Sequence, residues 1–216
     1  MVGRVSTLYL ARHGETIWHS ENRYAGSSDI ELTEKGVAQS HALGEWSSSH
    51  GITHIYSSPL LRAVHTATPT ASRLHLPLRQ DSRLREVHFG SGEGLTTDEM
   101  SAQFPDALRA FRHRPASSPL PGGESGAEAI DRVWPAIQDI VKQLVASGSG
   151  RETVEKKALI VMHSTLMRLV LCKVLEIPLD NYRRAFPLVR NVAITSILLP
   201  DGDEKGASLL SYNSTT

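Results

Sequence analysis

The sequence predicts a single α/β domain: a mostly parallel sheet with helices on both faces, in three layers. Two observations lead there. Short β-branched or apolar runs alternate with amphipathic stretches of helical length, the pattern of strands joined by crossover helices. One such run, ALIVM at 158–162, is apolar throughout, as a strand covered on both faces must be. With 216 residues, 40% of them apolar, the chain is long enough for one sizeable core and short for two.

TLYLA (7–11) reads as the first strand. LTEKGVAQSHALGEW (32–46) spaces Leu32, Val37, Leu43 and Trp46 at helical intervals behind a Thr33 N-cap. THIYSS (53–58) is a second strand, stopped at Pro59. LLRAVHTATPTASRL (60–74) is a helix expected to bend or break at Pro69. SRLREVHFGSGEG (82–94) reads as an extended piece running into a Gly-rich loop. Two short helical pieces, TDEMSAQF and PDALRAFRHR, end at the loop PASSPLPGG. A long amphipathic helix follows over 124–147, with Ser125 and Glu128 at capping-box spacing and a kink expected at Pro135. SGSGRETVEKK (147–157) reads as a polar surface loop. ALIVM runs into His163, STLMRLVLCKVLEI continues as helix, and NVAITSILL (191–199) is a further strand. No repeat or interdomain linker interrupts the chain, so 1–216 reads as one domain.

Lys+Arg and Asp+Glu both number 23, and this balance gives no general attraction to nucleic acid or to an anionic membrane. The N-terminus lacks the apolar core of a signal peptide, and no apolar run is long enough to span a bilayer. The one cysteine, Cys172, cannot form an internal disulfide and lies in an apolar helical run, where it reads as core. A soluble, cytoplasmic protein is the expectation.

In open α/β sheets, ligands bind at the carboxyl ends of the strands. Here TLYLA ends in Arg12-His13-Gly14, THIYSS comes just before Arg62, ALIVM ends in His163, and SRLR ends at Glu86. Two arginines offer permanently charged bidentate donors suited to a phosphoryl group. One imidazole can attack phosphorus and carry it covalently; a second, cationic one can stabilise the equatorial oxygens. A carboxylic acid can protonate the leaving oxygen and then activate water. That role needs a raised Glu86 pKa, which a dianionic substrate beside it favours. No metal or other cofactor is required by this set.

ARHGETIW, ENRYAG and LTEKG, followed in order by YSSPLLRAVHTA, LREVHFGSGEGL, PGGES and LIVMHSTLMRLVLC, resemble the histidine phosphatase superfamily in its phosphoglycerate-mutase-like branch. The resemblance spans nearly the whole chain. It implies a mostly parallel six-stranded sheet with a small helical cap region, placed here at 96–125. It further implies that His13 becomes phosphohistidine, that Arg12 and Arg62 clamp the phosphate, that His163 is the second pocket histidine and that Glu86 is the proton donor. Gly14 would let the backbone approach the phosphate. Gly26 matches a family position near the substrate.

Three positions depart from that pattern. His19 stands where the family usually has Asn; its ring nitrogen can still donate to phosphate. Ser164 stands where Gly normally follows the second histidine, and its hydroxyl could reach the phosphate. SGEG at 91–94 lacks a tryptophan that relatives often carry.

The resemblance also favours a phosphatase acting on a small phosphorylated metabolite. Mutases of the family hold the substrate carboxylate with a lysine eleven positions after the acid glutamate, where this chain has Thr97, and they carry a longer insert before PGGES. Against this, Arg109, Arg112, His113 and Arg114 form a basic cluster near where mutases read their substrate. A mutase and a catalytically silent phosphate-binding member are the alternatives. Substrate selection is expected from 20–30 and 96–125, with Tyr24, Phe89, Arg112 and Arg114 as candidate selecting residues. Relatives occur as monomers, dimers and tetramers, so a homodimer is one expected state. His50 and His54 have i,i+4 spacing but no third ligand nearby in sequence, and HExxH, CxxC, GxSxG and GxxxxGK[ST] are all absent.

Overall fold

A computed structural model describes residues 5–146, 156–200 and 206–216. Strand β1 (Val5–Arg12) leads through the four-residue helix α1 (Ile17–Ser20) to helix α2 (Glu34–Ser48). Then come β2 (His54–Ser57), α3 (Leu61–Leu74) and β3 (Leu78–Gln80). Two short helices, α4 (Thr97–Gln103) and α5 (Pro105–His113), precede the long α6 (Gly126–Ala146). The chain closes with β4 (Lys157–Met162), α7 (Ser164–Val174), α8 (Tyr182–Ala185), β5 (Ile194–Pro200) and β6 (Ser208–Ser214).

The six strands form one sheet in the order β3-β2-β4-β1-β5-β6. The first four are mutually parallel, whereas β5 runs antiparallel to β1 and β6 antiparallel to β5. Side chains alternate across the sheet. Leu8 and Leu10 join the core formed with α6 and α7, while Ala11 joins the second core with Leu43 of α2 and Ala63 and Ala67 of α3. Both faces are thus apolar, which is why β4 carries no polar alternation.

The Thr33 hydroxyl caps α2 by accepting from the Gly36 amide at 3.0 Å. Helix α3 does not break at Pro69. It remains one element because Ala63, Thr66, Ala67 and Thr70 are buried along it, and that packing outweighs one missing helical hydrogen bond. Residues 82–94 are not simply extended: single 3-10 turns occupy Ser82–Leu84 and Gly90–Gly92. Strands β3 and β6 have no clear sequence signal, the first being three residues long and the second a half-exposed edge. The expected loop at 147–157 lies outside the described residues as far as 155, and Lys157 already belongs to β4.

Candidate active site

Parallel pairing of β1 with β4 sets Arg12 opposite Met162, and the His13 amide donates to the Met162 carbonyl at 3.0 Å. This register places two histidines side by side just beyond two adjacent strand ends. Their rings lie 5.2 Å apart between centroids, and His19 lies 5.5 Å from His13 on the other side.

His13 is held in one tautomer. Its Nδ1 lies 2.8 Å from the Gly14 carbonyl, which can only accept, so Nδ1 carries the proton. Burial, and after it the positive charge of Arg62, pushes the imidazole well below its ordinary pKa of 6.5. A neutral ring protonated on Nδ1 leaves Nε2 with a free lone pair.

Gly14 is also required by packing. A Cβ there would meet the Gly36 carbonyl oxygen at 2.7 Å, so the absent side chain lets the strand end pack against α2. Gly26 likewise does not line the main cavity. Its carbonyl accepts from Arg62 at 2.7 Å, and a Cβ would meet the Val87 carbonyl at 2.6 Å. It acts through Arg62.

Arg62 is 0% exposed and donates to the carbonyls of Ala25, Gly26 and Ser28. Those carbonyls fix the guanidinium, and Glu93 holds the same loop from its other side by accepting from the amides of Gly26 and Ser28. Nothing in the spacing of Glu93 marks it for this positioning role. Arg12 donates to the Val189 carbonyl at 2.7 Å and contacts His19 Nε2.

His19 turns inward. Its Nδ1 accepts from the Thr16 amide at 3.0 Å, and burial, then Arg12, lowers its pKa to about 4. The neutral ring's proton therefore sits on Nε2, facing an Arg12 nitrogen that is also a donor.

Glu86 is buried at the start of α7. Its Oε1 accepts from the amides of Val87 and Leu166, and its Oε2 from Thr165. These bonds favour the carboxylate, but burial outweighs them and the pKa is raised. A proton bound here goes to Oε2, the oxygen with a lone pair still free.

His163 is 0% exposed, and burial and then Arg62 depress its pKa well below 6.5. Seven buried side-chain nitrogen and oxygen atoms lack a partner among the described residues. Five of them are both ring nitrogens of His163 and the Nε atoms of Arg12, Arg62 and Arg168. In the neutral His163 one ring nitrogen donates and the other accepts; unpaired buried donors are costly, each about 1–3 kcal/mol, and a set dominated by them suits an anionic ligand.

A cavity of about 580 Å³ is lined by Arg12, His13, His19, Glu86 and Ser164 together with Tyr24 and Phe89, whereas Arg62 and His163 are fully buried and do not line it. Arg112 and Arg114 do not line it; both are exposed on and just after α5. Besides Arg12, the arginines that do are Arg23, Arg168 and Arg183, none of which sequence reasoning singled out. Arg168 could have been found from its place on the same face of α7 as Ser164, one turn on. Arg183 is placed by tertiary packing alone, stacked 4.4 Å over the Phe111 ring. Among the described residues no three His, Cys, Asp or Glu side chains cluster as metal ligands would, and no helix is long and apolar enough to cross a membrane.

Residues 8–215 match the family model described as histidine phosphatase superfamily, branch 1. A glucosyl-3-phosphoglycerate phosphatase of Mycolicibacterium vanbaalenii is 34% identical over 83% of this chain and 78% of its own. A probable phosphoglycerate mutase GpmB of Salmonella newport is 35% identical over 88% of this chain and 83% of its own. The solved structure of a mycobacterial glucosyl-3-phosphoglycerate phosphatase superposes with a TM-score of 0.86 at 30% identity, covering 98% of this chain and all of that one. Sequence, sheet order and the paired histidines at adjacent strand ends agree: the chain belongs to the histidine phosphatase superfamily.

Proposed function

We propose that this protein is a metal-independent phosphatase that hydrolyses a small phosphomonoester through a phosphohistidine on His13. The observation that carries the reading is the neutral His13 ring, with its proton committed to Gly14 and Nε2 free, set among unpaired guanidinium and imidazole donors. Nε2 attacks phosphorus as the bond from phosphorus to the leaving oxygen breaks, and Glu86 gives its proton to that oxygen. The Nδ1–H bond to the Gly14 carbonyl stabilises the positive charge that develops on the ring. Arg12, Arg62, His163, His19 and Ser164 hold the phosphoryl oxygens. In the second step ionised Glu86 takes a proton from water, the water oxygen bonds to phosphorus, and the P–N bond breaks. Phosphate leaves, and both His13 and Glu86 return to their starting states.

Thr97 lines the cavity where the family's mutases would present a lysine, which favours water over a phosphoglycerate as acceptor. Tyr24 and Phe89, whose rings meet edge to face at 5.1 Å, supply an apolar wall for the leaving group. The phosphatase names of the mycobacterial relatives agree with this reading, and the lone cysteine with a cytoplasmic location.

The test is phosphate release from a panel of phosphomonoesters in EDTA, by the parent and by His13→Ala, with isomer formation followed for 3-phosphoglycerate. Release that resists EDTA and is lost in His13→Ala is the expected result. Isomerised phosphoglycerate without phosphate release overturns it in favour of a mutase.

A further inference from the structure

The cavity holds more positive charge than one phosphoryl group calls for. Arg12 at its wall and the buried Arg62 beside His13 suffice for a phosphate dianion, yet Arg168 and Arg183 also line the cavity. Among the described residues none of these four arginines forms an ion pair with a carboxylate. Among the described residues Glu86 is the one carboxyl group lining the cavity, and the proposed chemistry needs it protonated.

Arg168 is arranged to receive something. One terminal nitrogen donates to the Pro187 carbonyl at 3.0 Å, which fixes the guanidinium plane, while its buried Nε has no partner. It sits one helical turn beyond Ser164 on α7, about 6 Å further along the helix axis. Arg183 is fixed differently. Its Nε donates to the Tyr182 hydroxyl at 3.1 Å, and its guanidinium lies over the Phe111 and Tyr182 rings at 4.4 and 5.4 Å. Its terminal nitrogens have no acceptor among the described residues. Burial lowers the pKa of Arg168 and of Arg12, and like charge adds to it in each, from Arg183 on Arg168 and from Arg168 on Arg12. Three like charges around one desolvated space are unfavourable unless an anion joins them.

We propose that Arg168 and Arg183 form a second anion subsite, so that the substrate is a phosphomonoester whose leaving group carries a further anionic group, a carboxylate or a second phosphate. This rests on the phosphatase reading and narrows its substrate class. The phosphoryl group occupies the end of the cavity at His13. The second anion accepts from Arg168 Nε and from the free Arg183 nitrogens, and the body of the leaving group lies against Tyr24 and Phe89.

The experiment pairs each probe with a partner that lacks the second charge: 3-phosphoglycerate with glycerol 3-phosphate, and fructose 1,6-bisphosphate with fructose 6-phosphate. Binding is measured by calorimetry on His13→Ala, which holds ligands without turning them over, alone and combined with Arg168→Gln or Arg183→Gln. The expected result is about tenfold or greater preference for the doubly anionic member of at least one pair, the worth of one charge-assisted hydrogen bond. Each Gln variant should abolish that preference and leave the singly charged partner within about threefold. Whichever pair shows the preference distinguishes carboxylate from phosphate. Equal affinities within both pairs overturn the proposal, as does a Gln variant that melts like its parent and weakens both members equally. If Arg168→Gln fails to fold for want of its Pro187 bond, Arg183→Gln alone decides. Release of phosphate from p-nitrophenyl phosphate that survives His13→Ala would sink the phosphatase reading while leaving the calorimetric comparison intact.

Discussion

Replacing Glu86 by Gln separates the two steps of the proposed reaction. Glu86 meets three backbone donors, two at Oε1 and one at Oε2. A glutamine keeps the two bonds at its oxygen, but its NH2 group must then face the Thr165 amide, donor against donor. One hydrogen bond is lost and one buried N–H is left unpaired, about 1–3 kcal/mol. For a chain of this size that lowers the melting temperature by roughly 2–12 °C, so the variant should remain folded. Chemically it removes the proton for the leaving oxygen, worth about 10²–10⁴ in rate for an alkyl phosphate such as glycerol 3-phosphate. p-Nitrophenolate leaves without a proton, so the burst of p-nitrophenol in rapid-mixing experiments should survive nearly unchanged. Steady-state turnover should fall for both substrates, because water activation also needs Glu86. A burst slowed as much as glycerol release would refute the general-acid assignment.

Three further outcomes follow from the same geometry. His13 and His163 are depressed by burial and then by Arg62, so the unfolded chain binds protons that the folded chain refuses. Their contribution to stability is complete above pH 6.5 and declines as pH falls, by up to about 1.4 kcal/mol per pH unit for each histidine. Glu86, raised by burial, contributes in the opposite sense and loses its stabilisation as pH rises. Melting curves in phosphate-free buffer should therefore fall from pH 6.5 to 5, and the slope should shrink in His163→Asn. An unchanged slope would contradict a neutral buried His163. Arg62→Met removes the donor to three loop carbonyls and should cost about 3 kcal/mol or more by denaturant titration, besides losing stabilisation by added phosphate. His19→Ala should lower kcat/KM by about 10–100-fold, one charge-assisted hydrogen bond, and His19→Asn should restore it to within about threefold. If the Ala and Asn variants are equally impaired, the ring does more than donate one bond.

The elements most legible in the sequence are those with strong local physics. ALIVM reads as a buried strand because five consecutive apolar residues have no other economical place, and Thr33 reads as a cap because its hydroxyl meets a free helical amide whatever lies around it. Strands β3 and β6 are legible only in the fold, since a three-residue strand and a half-exposed edge are held by their neighbours' hydrogen bonds. Helix α3 shows the reverse, a local helix breaker overruled by packing.

The same division runs through the site. Arg12, His13 and His163 can be proposed from the sequence because an α/β chain presents reactive groups at its strand ends, and those ends are visible as points where apolar runs stop. What those groups do to one another depends on distances across the sheet. The tautomer of His13 follows from a carbonyl at 2.8 Å, the inward turn of His19 from Thr16 and Arg12, and the raised pKa of Glu86 from burial. Arg112 and Arg114 looked apt to select substrate because they are basic and clustered, but the face of α5 on which they lie is exposed. Arg168 and Arg183 carry the same charge and do reach the cavity, because α7 starts directly at the end of β4 and α8 packs against α7. The sequence by itself determined which residue types are present and where strands end. Only the tertiary structure decided which charges share a desolvated space, since the cost of burying a charge is set by what surrounds it.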